Sequence, residues 1–122
     1  MTTRAVAVVA AMSGASAVVL GAFGAHALRS ALGVDALQLW HTAVDYQFWH
    51  ALALLGMASA PPSRWRSVAV VAFCTGIALF SGSLYALALG APRLIGAITP
   101  LGGFAFIVGW VALGGAFWRT AR

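Results

Sequence analysis

The sequence predicts an all-α, integral membrane four-helix antiparallel bundle, and three observations lead there. The chain is 62% hydrophobic and 7% charged, with neither Lys nor Glu, where an average soluble domain is about a quarter charged. Its charged side chains, seven Arg and two Asp, leave uncharged stretches of 24, 26 and 25 residues at Ala5–Leu28, Ser67–Pro92 and Leu94–Trp118. A shorter apolar stretch, Tyr46–Ala60, is extended upstream by a helical segment carrying Asp45. Crossing the hydrocarbon of a bilayer takes about 20 residues at about 1.5 Å each. The whole chain, 1–122, reads as a single domain with spans at about 5–28, 42–60, 67–89 and 100–118.

The first helix is expected from about Arg4 to Leu32, with Gly33 as a left-handed residue closing it. Ala10, Gly14, Ala17, Gly21 and Gly24 recur at three- and four-residue steps, a stripe that lets a neighbouring backbone approach closely. Ala25-His26-Ala27 resembles a signal-peptidase site, but the apolar run before it exceeds the usual 7–15 residues, so a retained helix is expected. In the second helix Asp35 is the expected N-cap with Gln38 three residues on, and Pro61-Pro62 ends it. Gln38, His41, Thr42 and Asp45 fall on one face at helical spacing. The third helix is expected over about Ser67–Leu89, broken by Gly90-Ala91-Pro92. Arg93–Ile98 is not expected to be regular helix. Thr99 can cap the fourth, and Pro100 suits its first position.

With four spans, Arg4, Arg64, Arg66, Arg119 and Arg122 share one side and Arg29 and Arg93 the other. Cytoplasmic loops are enriched in Arg and Lys, so both termini of this multi-pass chain are expected in the cytoplasm. Trp65 and Trp118 beside those arginines fit interfacial anchors. The net charge of +5 is scattered over segment ends and forms no basic face with interleaved aromatics, which argues against nucleic acid as a partner. The lone Cys74 reads as a small buried hydrophobe.

The unusual residues converge on the outer half: His26 and Arg29; His41, Asp45, Tyr46, Gln47 and His50; Ser81, Ser83 and Tyr85; Arg93 and Thr99. Such groups avoid lipid and seek one another or a water-filled cavity. Arg29 and Arg93 are the cations available to Asp45. On that basis Asp45→Ala should destabilise the bundle more than Asp35→Ala, by stranding a partly buried arginine. Three readings of the cluster stay open: a hydrogen-bonded clasp, a site for a small ligand, ion or proton, and ligation of a metal or haem. The last is the weakest. His41 and His50 are about 900° of helix turn apart and point to opposite sides. No nucleophile elbow, phosphate loop or dinucleotide fingerprint is present, and Ser, His and Asp without geometry make no triad.

Gly21–Arg29, Trp40–Leu54, Phe80–Leu87 and Gly96–Gly103 with Gly109-Trp110 resemble, in this order and over nearly the whole chain, the small bacterial inner-membrane proteins of the YgdD/YwdK type. The resemblance implies a four-helix integral membrane protein with relatives in eukaryotes. That family is one of unknown function, so it implies no activity, catalytic residue or cofactor. Its motifs coincide with the polar cluster, which adds some weight to the ligand-site reading. The expected function is non-enzymatic: a structural or interaction component, packing with itself or a larger membrane complex. A minimal transporter or proton-coupled carrier using Asp45 is the alternative, and a haem or quinone redox module stands third.

Overall fold

A computed structural model describes residues 1–121; Arg122, counted above with the cytoplasmic arginines, lies outside them. Among the described residues the chain is helical throughout, with no strand. Helix α1 is Thr3–His26, α2 is Val34–Ser59, α3 is Arg64–Ala88 and α4 is Thr99–Trp118. A 3₁₀ turn, Arg93–Ala97, precedes α4. The helices run up and down. α1 packs along α2 and α3 along α4, and the two hairpins meet where α2 crosses the outer half of α3.

Several ends differ from expectation. α1 stops at His26, because Leu28 turns inward to pack with Trp40 and Ala88. Gly33 is therefore not a left-handed terminator: its φ is −64°, and it stands as the N-cap of α2 without a side-chain bond. Asp35 sits instead in the first turn, where a carboxylate meets the positive end of the helix dipole. α3 begins at Arg64, earlier than expected, because the Ser63 hydroxyl accepts from the Arg66 N–H at 3.1 Å. It closes on Gly90 at φ 99°, a backbone that side-chain-bearing residues rarely adopt. Thr99 is the first residue of α4 rather than its cap, and its hydroxyl bonds Ser83 across to α3.

The expected small-residue face of α1 is the face laid on α2. A Cβ on Gly24 would lie 2.5 Å from the Trp40 ring, and one on Gly21 would lie 3.2 Å from Val44. α3 and α4 interlock by a reciprocal device, a Phe and a Gly three residues apart on each. The Phe73 ring covers Gly109, and the Phe106 ring covers Gly76. One turn further out, the Phe80 backbone lies directly on Gly102. At the other end Trp65 covers Gly115, a Cβ there coming within 2.8 Å of the indole. α3 also contains one widened π-helical turn, Ile77–Ser81. Such a turn accommodates an extra residue within a helix; here Phe80 meets α4 while Ser81 meets α2.

Thr3–His26, Arg64–Ala88 and Arg93–Trp118 are long and apolar enough to cross a membrane. Their outward faces carry large apolar side chains, among them Met12, Val18, Leu101, Phe104 and Ile107, each well over half exposed. Water does not tolerate such belts and lipid does. α2, more polar in its first half, lies antiparallel between them.

Gly102→Ala should lower stability by about 1–3 kcal/mol, since the new methyl meets backbone that cannot rotate away. Gly114→Ala, in open space, should be neutral or slightly stabilising. Thermal unfolding of the two variants in detergent checks the difference.

Candidate functional site

The polar residues expected to form one outer cluster divide into an inward and an outward set. The inward set is a network centred on Gln47, 5% exposed. Its amide nitrogen donates to the Ser13 carbonyl at 3.0 Å and to the Ser16 hydroxyl at 2.8 Å, both on α1. Its amide oxygen accepts from the Tyr85 hydroxyl of α3 at 2.8 Å. One side chain thus ties three helices, using both N–H donors and its carbonyl. Around it the Ser81 hydroxyl donates to the Ala43 carbonyl at 2.7 Å, and the Trp40 indole donates to the Leu20 carbonyl at 2.9 Å. The Ser83–Thr99 pair pins α3 to α4.

His50 belongs to a second, aromatic layer nearer the middle of the spans. Its ring stacks on Phe106 at 3.6 Å between centroids and 10° between planes. Phe73 and Trp110 lie beside it. The Trp110 indole, which can only donate, reaches Nε2 at 3.1 Å. Nε2 must therefore be the acceptor, and Nδ1 carries the proton it donates to the Tyr46 carbonyl at 2.6 Å. The imidazole is neutral and both nitrogens are engaged. Tyr46, Trp49, Phe80, Phe104, Phe106 and Trp110 border a groove of about 800 Å³ between α2 and α4, open on the side of the bundle. It is lined almost wholly by apolar and aromatic groups.

The outward set is His26, Arg29, His41, Asp45 and Arg93, all exposed. Asp45 makes no ion pair with Arg29, Arg93 or any other cation among the described residues, so the expected carboxylate–arginine clasp does not form. The reason is geometric. Asp45 is two residues from Gln47, about 200° around the helix, so when Gln47 faces in, Asp45 faces out. Arg29 sits in the turn after α1 and Arg93 opens the 3₁₀ turn before α4, both beyond the α-helix ends. The larger destabilisation expected of Asp45→Ala loses its premise with them. Among the described residues no three His, Cys, Asp or Glu side chains converge in the manner of a metal site. His50 is buried, whereas His26 and His41 are exposed on other surfaces.

Three participants were not singled out in the sequence. Ser13 and Ser16 looked like ordinary small residues of α1; their one signal was lying a turn or less from Gly14 on the packing stripe. Arg66, expected at a cytoplasmic surface, is only 1% exposed. Its Nη2 reaches the Thr3 hydroxyl at 3.3 Å, while among the described residues Nε and Nη1 meet no acceptor. It joins the start of α1 to the start of α3, opposite the Gln47 end.

Lipid-facing apolar helices sealed by internal polar bonds define an integral membrane helical bundle. The chain belongs to the family described as "Protein of unknown function (DUF423)", whose model matches residues 20–103. It is 43% identical over 116 residues to the UPF0382 inner membrane protein YgdD of Escherichia coli (strain K12), covering 93% of this chain and 88% of that one. It is 41% identical over 116 residues to the UPF0382 membrane protein YwdK of Bacillus subtilis (strain 168), covering 87% and 89%. A Staphylococcus saprophyticus relative, the UPF0382 membrane protein SSP2132, is 44% identical over 108 residues, covering 87% and 90%. No solved structure matches. The resemblance read from the motifs is thus a family membership, and no activity comes with it.

Gln47→Leu should cost about 1–2 kcal/mol, because it removes three interhelical bonds and strands the Tyr85 hydroxyl. Asp45→Asn should stay within about 0.5 kcal/mol, as expected of an unpaired surface position. Unfolding in detergent micelles that hold single copies measures both.

Proposed function

We propose that this protein is a non-enzymatic structural component of the bacterial inner membrane, a four-span bundle that works by packing laterally with other membrane-embedded helices, its own or those of a larger complex. The observation that carries this is how its interior polar groups are used. Gln47 bonds Ser13, Ser16 and Tyr85, and His50 has both nitrogens engaged. Side chains already bonded to each other serve to fix helices rather than to act as base or nucleophile. The carrier alternative wants Asp45 on an internal path, and its outward position gives that reading no support. α2 is taken as the fourth span because it lies alongside three helices of spanning length. The excess of Arg4, Arg64, Arg66, Arg119 and Arg122 over Arg29 and Arg93 supports both termini in the cytoplasm.

Extraction into native-lipid nanodiscs followed by mass measurement should give assemblies larger than one copy, of this chain alone or with other membrane proteins. Recovery only as a single copy, with nothing co-purifying, would overturn the reading. In a Cys74→Ala background, Arg29→Cys should react with a membrane-impermeant maleimide from outside intact cells and Arg64→Cys should not. The two reacting alike would refute the orientation.

A further inference from the structure

α2 carries two stripes in the same three-four rhythm. Trp40, Ala43, Gln47, His50, Leu54 and Met57 are buried inside the bundle. On the opposite side Gln38, His41, Asp45, Phe48, Leu52 and Leu55 are all exposed. Lipid accounts for the second half of that outer stripe and not for the first. Asp45 lies between Ala43, whose carbonyl holds Ser81, and Gln47, which joins α1 to α3. Its level is therefore within the cross-bonded body of the bundle, beside the π-helical turn of α3, not beyond the helix ends. Acyl chains do not solvate a carboxylate or an imidazole. Among the described residues neither Asp45 nor His41 makes a side-chain hydrogen bond or ion pair.

We propose that a second copy of this chain, in the same orientation, covers this stripe, α2 against α2. The inference rests on the packing role proposed above and names its surface. The stripe is complementary to itself: it places an acid and an imidazole one helical turn apart. A two-fold axis along the membrane normal brings each Asp45 carboxylate towards the other copy's His41 and closes two equivalent bonds, as an isologous interface requires. The spacing is that of a seam between parallel helices, repeating every three and four residues along the 26 residues of α2. Gln38 extends the polar half and Phe48, Leu52 and Leu55 supply the apolar one. Beside that apolar half runs a groove of about 250 Å³ between α1 and α2, bordered by Ala10, Gly14 and Ala51. Small residues there let a partner's side chains approach closely.

Single cysteines in a Cys74→Ala background, oxidised in native membranes, test the surface. Phe48→Cys and Leu52→Cys should give disulfide-linked dimers, while Val18→Cys on α1 and Val111→Cys on α4, both more exposed than either, should not. In nanodiscs Asp45→Ala should weaken self-association about tenfold, and the exchange His41→Asp with Asp45→His should restore it. Dimers linked through Val111→Cys but not through the stripe would overturn this surface and leave the packing role standing. Cross-links from the stripe to a different protein would do the same. Single copies throughout, with no partner, would bring down both.

Discussion

Lipid offers no hydrogen bonds, so a polar group within the bilayer needs a partner from protein, and this requirement organises the whole molecule. Gln47 shows how far it reaches. Placed on α2 between two neighbours, its amide holds two acceptors on α1 and one donor on α3. Because the same bonds fix the rotation of α2, they decide which residues face inward along its entire length. Trp40 and Ala43 above and His50 and Leu54 below follow Gln47 into the interior. Asp45 follows it to the outside.

Within lipid the hydrophobic effect does little to hold helix on helix, and close packing must take over. The two hairpins solve this with aromatic rings laid over glycines. Between α1 and α2 the device is one-sided, with Trp40 over Gly24. Between α3 and α4 it is reciprocal, Phe73 over Gly109 and Phe106 over Gly76. The reciprocity brings the Phe106 ring flat against His50. Thus the glycines that bring α3 and α4 together also build the wall against which the imidazole is stacked. Packing and polar satisfaction are here one arrangement.

The all-α membrane bundle and the packing face of α1 were legible in the sequence because both rest on short-range rules. Apolar length reports the solvent, and glycine at three-four spacing reports close approach. The division of the polar cluster was not legible. Gln38, His41, Thr42 and Asp45 were read as a shared face of α2, and the structure puts Gln38, His41 and Asp45 on one exposed stripe. What pattern alone could not give was the direction of that face. Reasoning from charge turned it inward towards Arg29 and Arg93. An amide that can donate and accept at once outweighs a carboxylate that can only accept, and both arginines sit in connecting turns past the ends of the helices. The chain reversal at Leu28 was hidden for a related reason: it depends on Trp40, twelve residues away, and on Ala88 of another helix.

The outer faces of α2 and α4 make an instructive pair. α4 presents Leu101, Phe104, Ile107 and Val111 to its surroundings, and the only polar atom of Trp110 is already given to His50. Acyl chains satisfy such a face completely. α2 presents the same helical spacing with a carboxylate and an imidazole on it, at a level where the bundle is still cross-bonded. The two helices bury their inner faces by the same rules, so with α2 taken as the fourth span the difference between their outer faces does not come from folding the single chain. Replacing Asp45 and His41 by leucine would leave every bond of the Gln47 network in place. A polar pair that the bundle does not need, in a solvent that cannot accept it, is what the proposed second copy would cover, acid against imidazole.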